Sequence, residues 1–366
     1  MNNRRKNAIY SIVLLSLVAI VYLYRKNQAE QQNPNKQSDQ QTNKKDQTPS
    51  TSTNNLAVKV TGTTMGKIVY NVTYLDEKKR DLKPGIDSVL VAFNQSLSTY
   101  IPDSEISTFN KGQQLEYKSS FFYPVLAKSA EIHKNTAGAF DPTISPLVNA
   151  WGFGFKKAKE GKIPVDSLKQ LVGFDKFLKF TDQKVEKTKA GIMLDFSAIA
   201  KGYAVDVVGD YLVSQGIENY AVEIGGEVRC KGKNNEGRTW LFGVTDPNYK
   251  KNKKSTPFTA IYLENKAMAT SGNYENFYIK DGKKYAHTLD PKTGYPVEHS
   301  LLSASVLAND CMTADAYATA FMVMGLEKAK EVLAQQKDLE AFLIYADAQG
   351  NLQSFATEGA KKYLAK

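Results

Sequence analysis

An uncharged run from Ala8 to Tyr24, AIYSIVLLSLVAIVYLY, follows the basic leader Arg4, Arg5 and Lys6 and most constrains what this chain can fold into. As a helix rising 1.5 Å per residue it extends about 25 Å, near the lower limit for crossing a bilayer. The same layout serves as a secretory signal peptide. No Cys precedes Cys230, so a lipoprotein signal is excluded, and Arg25, Lys26, Asn27 and Gln28 make a poor cleavage site. The favoured reading is an uncleaved signal anchor over residues 1–26, amino terminus inside and body outside, because the basic leader outweighs Arg25 and Lys26. Residues 27–55 are dominated by Gln, Asn, Lys, Ser and Thr, with hardly an apolar side chain. Such a segment cannot bury enough surface to offset its ordering entropy and reads as a disordered linker. Residues 56–366 are left as the folded body, tethered outside a membrane.

Composition narrows the possibilities for that body. The 366 residues are 42% hydrophobic and 23% charged, with 24 Gly and 12 Pro, which excludes a collagen, a polytopic membrane protein and a wholly disordered chain. Two distant Cys and three scattered His offer no zinc-ligand spacing, so a metal would take oxygen ligands. The net charge of +10 divides evenly: residues 1–55 hold eight Lys/Arg against three Asp/Glu, and the remainder 40 against 35. No concentrated basic face with interleaved aromatics occurs, and no nucleic-acid partner is expected.

From Leu56 the alternating run AVKVTGTTMGKIVYNVTYL predicts two strands around Gly62–Gly66. Helical spacing marks Ile86–Tyr100, Phe122–Thr136, Ala198–Gln215, Thr313–Gly325 and Leu326–Gln335. Strands are read at Ile192–Phe196, Tyr220–Ile224, Arg238–Thr245, Thr259–Leu263, Ala267–Ser271, Tyr274–Lys280, Leu302–Leu307 and Glu340–Tyr345. Strands dominate the second half without βαβ alternation, so the fold class is α+β rather than a doubly wound sheet.

Dinucleotide and triphosphate glycine loops, a nucleophile elbow and a zinc-protease helix are all absent from the sequence. Five polar clusters remain. Gly62–Gly66 is a tight turn, either an ordinary hairpin or a backbone approach to a ligand. Leu97–Ser107 combines Tyr100 with a possible Ser/Asp cap, and a capped helix–loop–helix junction is an equal alternative. Gly138–Thr143 contains Asp141 before Pro142, which must be extended and should turn its carboxylate away from regular structure. In Leu194–Asp206 a strand running into a helix start makes an anion-friendly end. Lys201 is badly placed there for the helix dipole, which suggests that a ligand phosphate or carboxylate holds it. The fifth cluster pairs Ala286–Pro296 with Thr313–Thr319. Asp315 and Thr319 are one helical turn apart on one face, suited to a hard cation such as Mg²⁺, although an N-terminal acid beside a back-bonded Thr is the commoner meaning of such a pair. His133 reads as structural.

In this order the clusters resemble the ApbE family of FAD:protein FMN transferases, over about Gly62 to Gly325. The most specific pieces are D-x-x-x-I-A-K-G-Y-A-V-D at Asp195–Asp206, H-x-x-D-P-x-T-G-x-P at His287–Pro296 and A-D-x-x-x-T at Ala314–Thr319. The resemblance implies an ApbE-like, T-fold-related fold of mixed sheets with helices, and Mg²⁺-dependent transfer of FMN from FAD to a Thr or Ser of an acceptor protein, with AMP leaving. It implies that Met65, Tyr100, Ala139, Phe140, Asp141, Asp195, Lys201 and the backbone near Leu289 line the FAD. Asp315, Thr319 and the main-chain carbonyl of Ala198 would hold the metal, and His287 and Asp290 would handle protons. Gly225-Gly226-Glu227 resembles the family's G-G-[DE] turn, whereas Phe196-Ser197 departs from the small pair common in relatives. The implied acceptor carries a D-x-x-[ST]-G-A-[ST]-like site, as in extracytoplasmic subunits of Rnf- or Nqr-type redox pumps, and the implied location is the periplasmic face of a bacterial inner membrane. Two other activities fit the same pocket: an FAD pyrophosphatase, and a flavin-binding protein without turnover.

Overall fold

The computed structural model describes residues 56–154, 163–249, 257–273, 277–280 and 283–365. The expected anchor and linker lie outside the described residues, among which no helix is long and apolar enough to cross a membrane. Eight strands build the main sheet: β1 (Ala57–Thr64), β2 (Ile68–Leu75), β3 (Tyr220–Ile224), β4 (Glu227–Lys231), β5 (Lys266–Gly272), β6 (Leu301–Ala308), β7 (Glu340–Ala346) and β8 (Leu352–Ala356). Their order in space is their order along the chain. The expectation of mixed sheets is corrected here, because every strand pairing among the described residues is antiparallel. Each excursion from the sheet returns beside the strand it left, running the other way, so no parallel crossover is needed.

Those excursions carry four principal helices: α1 (Lys83–Leu97), α2 (Phe122–Asn135), α3 (Ala200–Ser214) and α4 (Cys311–Met324). In α1, Ile86, Leu90, Phe93 and Leu97 recur at helical spacing and are buried, and a Pro in the first turn supplies a preset φ. Helix α4 differs in being apolar nearly all round. Ala314, Ala316, Tyr317, Ala318, Ala320 and Phe321 are all buried, because α4 packs against β5, β6 and α3 together. Strand alternation divides the interior: Tyr220, Val222 and Ile224 face the helices. Ala221 faces the opposite layer, where Val244, Ile261 and Leu263 of the hairpin Trp240–Val244/Thr259–Leu263 pack on Val228, Met268 and Phe342.

Two local expectations are revised. The first hairpin turns at Met65 and Gly66, both with positive φ, while Gly62 lies inside β1. Ile192–Phe196 is not a strand. Leu194 N–H donates to Asn110 Oδ1 at 2.7 Å, Asn110 Nδ2 returns a bond to Leu194 O at 2.8 Å, and Asp195 N–H goes to Pro142 O at 2.9 Å. A side-chain amide and a loop carbonyl thus satisfy backbone groups that a sheet neighbour would otherwise pair.

Candidate active site

A cavity of about 600 Å³ opens where distant parts of the chain meet. Its walls are the Ala139–Ile144 loop, Asp195–Ala198, Ser271 at the end of β5, the His287–Pro291 segment, and Thr319 and Met322 of α4. This is an ordinary size for a small-molecule site. Of the residues singled out from sequence, Ala139, Phe140, Asp141, Asp195, Ala198, His287, Leu289 and Thr319 line it. Met65, Tyr100, Lys201, Asp290 and Asp315 are not among its lining residues.

Asp141 is extended, as Pro142 requires, but its carboxylate turns back into the fold. Oδ1 accepts Thr143 N–H at 2.8 Å and the Thr143 hydroxyl at 2.5 Å, and Oδ2 accepts Phe174 N–H at 3.1 Å. Burial pushes this carboxyl up against those bonds. Asp141 therefore shapes the loop, its carboxylate turned onto the starts of two short helical segments rather than away from regular structure as expected. His133 is structural as read, its Nδ1–H donating to Phe140 O at 2.9 Å. Asp195 Oδ1 accepts Ser197 N–H at 2.8 Å and the Ser197 hydroxyl, which folds the turn presenting Ala198.

Helices α3 and α4 lock together through two residues of the Asp195–Asp206 motif. Gly202 N–H donates to Asp315 Oδ2 at 2.9 Å. A Cβ at Gly202 would lie 2.2 Å from Cys311 O and 2.7 Å from Asp315 Cβ, so only glycine permits this approach. One turn on, buried Asp206 accepts Cys311 N–H at 2.9 Å and Met312 N–H at 2.8 Å, and Arg229 Nη1 stands 3.2 Å away. Burial drives its carboxyl up to about 7 despite these partners. With Asp310 accepting Thr313 N–H at 2.7 Å, two acids cap α4 and fix its rotation, and with it Asp315 and Thr319. The role of Asp206 was missed from sequence, since a helix-interior acid carries no signal that it caps another helix.

Thr319 is not back-bonded: its hydroxyl meets that of Ser271 at 3.1 Å on the cavity wall. Asp315 sits one turn earlier, 3% exposed, its carboxyl raised by burial. Lys201 donates to Glu227 Oε1 at 2.7 Å, so its first partner is the chain's own carboxylate rather than a ligand. Burial opposes the lysine's charge, but Glu227 and Asp315 overcome it and hold its pKa above the usual value. Burial pushes the Glu227 carboxyl up, and Lys201 pulls it back down. Glu227 stands at the head of β4 because Gly225 and Gly226, both at positive φ, close a two-residue hairpin on the Ile224–Glu227 pair. Gly-Gly between two apolar runs was the missed signal for β4. The oxygens of Ala198, Asp315 and Thr319, with two buried carboxylates against one ammonium, fit a hard divalent cation. Among the described residues no group of three His, Cys, Asp or Glu side chains stands ready for a metal, so such a site must draw on hydroxyl and main-chain oxygens.

His287 packs edge-on against Phe153, 6.4 Å between ring centroids. Asp290 instead shapes its own turn: Oδ1 accepts Lys292 N–H at 2.8 Å and its carbonyl accepts Gly294 N–H at 2.7 Å. Trp151 Nε1 donates to Gly294 O at 2.9 Å and pins that turn to the cavity wall. Met65 lies at the β1–β2 turn against the core, and Tyr100 is 71% exposed. The Leu97–Ser107 cluster is the capped junction, with Ser104 accepting Ser107 N–H at 3.2 Å at the start of Glu105–Lys111.

Residues 62–343 match the model of the ApbE family. FAD:protein FMN transferases of Haemophilus influenzae and Vibrio cholerae are 38% and 37% identical over 307 and 319 residues, covering 80% and 84% of this chain and 88% and 93% of theirs. The solved flavin transferase ApbE from Vibrio cholerae superposes with a TM-score of 0.75 at 34% identity, over 84% of this chain and 99% of that one. The apo Pseudomonas stutzeri flavinyl transferase ApbE gives 0.74 at 29% identity, covering 84% and 96%. The fold is that of the solved flavin transferases, and the chain belongs to the ApbE family.

Proposed function

We infer that this chain is an FAD:protein FMN transferase, which moves FMN from FAD to a Ser or Thr hydroxyl of an acceptor protein and releases AMP. One observation carries the reading: Ala198, His287, Leu289 and Thr319, from three separate motifs, line one cavity beside Ala139–Asp141. We assign that cavity to FAD, and the metal to Ala198 O, Asp315 and Thr319. A bound Mg²⁺ would neutralise charge on the pyrophosphate as its bond to AMP breaks. Among the titratable groups on the cavity wall, Asp141 and Asp195 spend carboxylate oxygens on their own loops. We assign to His287, on the cavity wall, the acceptor hydroxyl's proton as the new phosphorus–oxygen bond forms. Asp290 holds the turn behind it. The Ala8–Tyr24 run and the polar segment after it support an anchored, extracytoplasmic enzyme that reaches acceptors of the D-x-x-[ST]-G-A-[ST] type along the inner membrane.

Incubation with FAD, Mg²⁺ and an acceptor bearing that site, read by in-gel flavin fluorescence and intact mass, tests this directly. Covalent FMN on the acceptor is expected. Free FMN and AMP without labelling would mean a pyrophosphatase, and tight FAD binding without turnover would mean a binding protein.

A further inference from the structure

Lys201 stands near two buried carboxylates and bonds to one of them. Its ammonium donates to Glu227 Oε1 at 2.7 Å. Asp315 accepts instead from the backbone of the very next residue, Gly202, at 2.9 Å. Glu227 is 1% exposed, and its Oε2 has no hydrogen-bond partner among the described residues. Burying a carboxylate with one oxygen unsatisfied is costly, and the first residue of a strand does not require a charge. The cost is intelligible if Glu227 acts on Lys201. Its backbone is held by the Gly225-Gly226 turn and by pairing with Ile224, which keeps the carboxylate beside the lysine.

From this geometry we propose that Glu227 is a positioning residue: a counter-ion that keeps the Lys201 ammonium off Asp315, leaving that carboxylate for a divalent cation. The inference rests on the metal role assigned to Asp315 above. A largely buried ammonium cannot stand alone. Without Glu227, the remaining carboxylate whose charge acts on Lys201 is Asp315, and an ammonium drawn to it would neutralise the charge a cation needs. With Glu227 in place, the lysine–glutamate pair is neutral and the remaining negative charge stays on Asp315.

The test is Mn²⁺ binding to the full-length chain without FAD, followed by the loss of the free-ion electron paramagnetic resonance signal. Glu227→Gln should weaken Mn²⁺ binding by about 10- to 100-fold, the range for a partner that orients a ligand from behind. Adding Lys201→Met to Glu227→Gln should restore affinity to within about threefold of the unsubstituted chain, an effect that general damage cannot produce. Lys201→Met alone should bind Mn²⁺ at least as tightly as the unsubstituted chain, and this arm stands even if Glu227→Gln does not fold. Unchanged affinity in Glu227→Gln, no recovery in the double variant, or weakened binding in Lys201→Met overturns the proposal. If the unsubstituted chain binds no Mn²⁺, or Asp315→Ala binds it equally well, the metal assignment itself falls and this inference with it.

Discussion

The hydroxyl of Thr319 lies 3.1 Å from that of Ser271, across the gap between α4 and β5, and is not returned to the carbonyl one helical turn back. A threonine hydroxyl has one proton and two lone pairs. When Ser271 takes the proton, the lone pairs of Thr319 are left to the cavity, as the cation role proposed for it requires.

Ser271→Ala should therefore let Thr319 back-bond to its own helix. The Mg²⁺ concentration for half-maximal FMN transfer is expected to rise about tenfold, while stability in urea shifts by about 1 kcal/mol or less. An unchanged Mg²⁺ dependence would show that the hydroxyl pair only packs the wall.

Gly202→Ala places a methyl group where Cys311 O and Asp315 Cβ already stand. Overpacking of this kind costs about 1–3 kcal/mol, measurable as a lower urea midpoint at unchanged slope. Because α3 and α4 must separate to admit the methyl, transferase activity should fall well beyond the unfolded fraction. Full activity in the folded fraction would mean that the spacing of the two helices does not govern the site.

Asp206→Asn leaves Arg229 without its buried partner and can accept only one of the two N–H groups at the start of α4. A loss of about 3 kcal/mol is expected from breaking such a pair, with faster amide exchange in the first turn of α4. A shift under about 1 kcal/mol would assign the capping to Asp310 alone.

Asp76 supplies a pH signature remote from the cavity. The Arg80 guanidinium, 2.8 Å away, holds its carboxyl down to about 2, and Arg80 also reaches Gln215 O at the end of α3. The folded state binds the Asp76 proton more weakly than the unfolded chain does. The stability it contributes is therefore complete above about pH 4, its unfolded value, and drains away as pH falls toward 2. Asp76→Asn should lower the urea midpoint at pH 6 and lose that deficit by pH 2. A deficit that does not change with pH would overturn the assignment.

Locally encoded elements are legible in the sequence. Tyr220–Ile224, Thr259–Leu263 and Leu326–Gln335 occur as read, because strand alternation and helical spacing are written in adjacent residues. Helix α4 was found for the same reason, and so was the Asp315–Thr319 register. What stayed hidden depends on residues far apart in the chain. The backbone at Leu194 is satisfied by Asn110, the start of α4 by Asp206, and Lys201 by Glu227. Lys201 shows the limit well: its conflict with the helix dipole was visible, but the group that resolves it sits on another strand. Ile192–Phe196 looked like a strand because its apolar residues are buried, and burial alone does not distinguish a ladder from a stretch held by side chains.

A sheet whose strands lie in chain order also separates its first strand from its last. Seven inter-strand spacings of about 4.8 Å lie between β1 and β8, placing the two borders about 34 Å apart. A circular permutant joining Ala356 back to Ala57 would need a linker of at least about ten residues. After β8 the chain leaves that border, with Tyr262 N–H donating to Tyr363 O at 2.7 Å and Ala365 N–H to Ala260 O at 2.8 Å, so a reporter fused at the C-terminus would ride on the hairpin layer rather than on either border of the sheet.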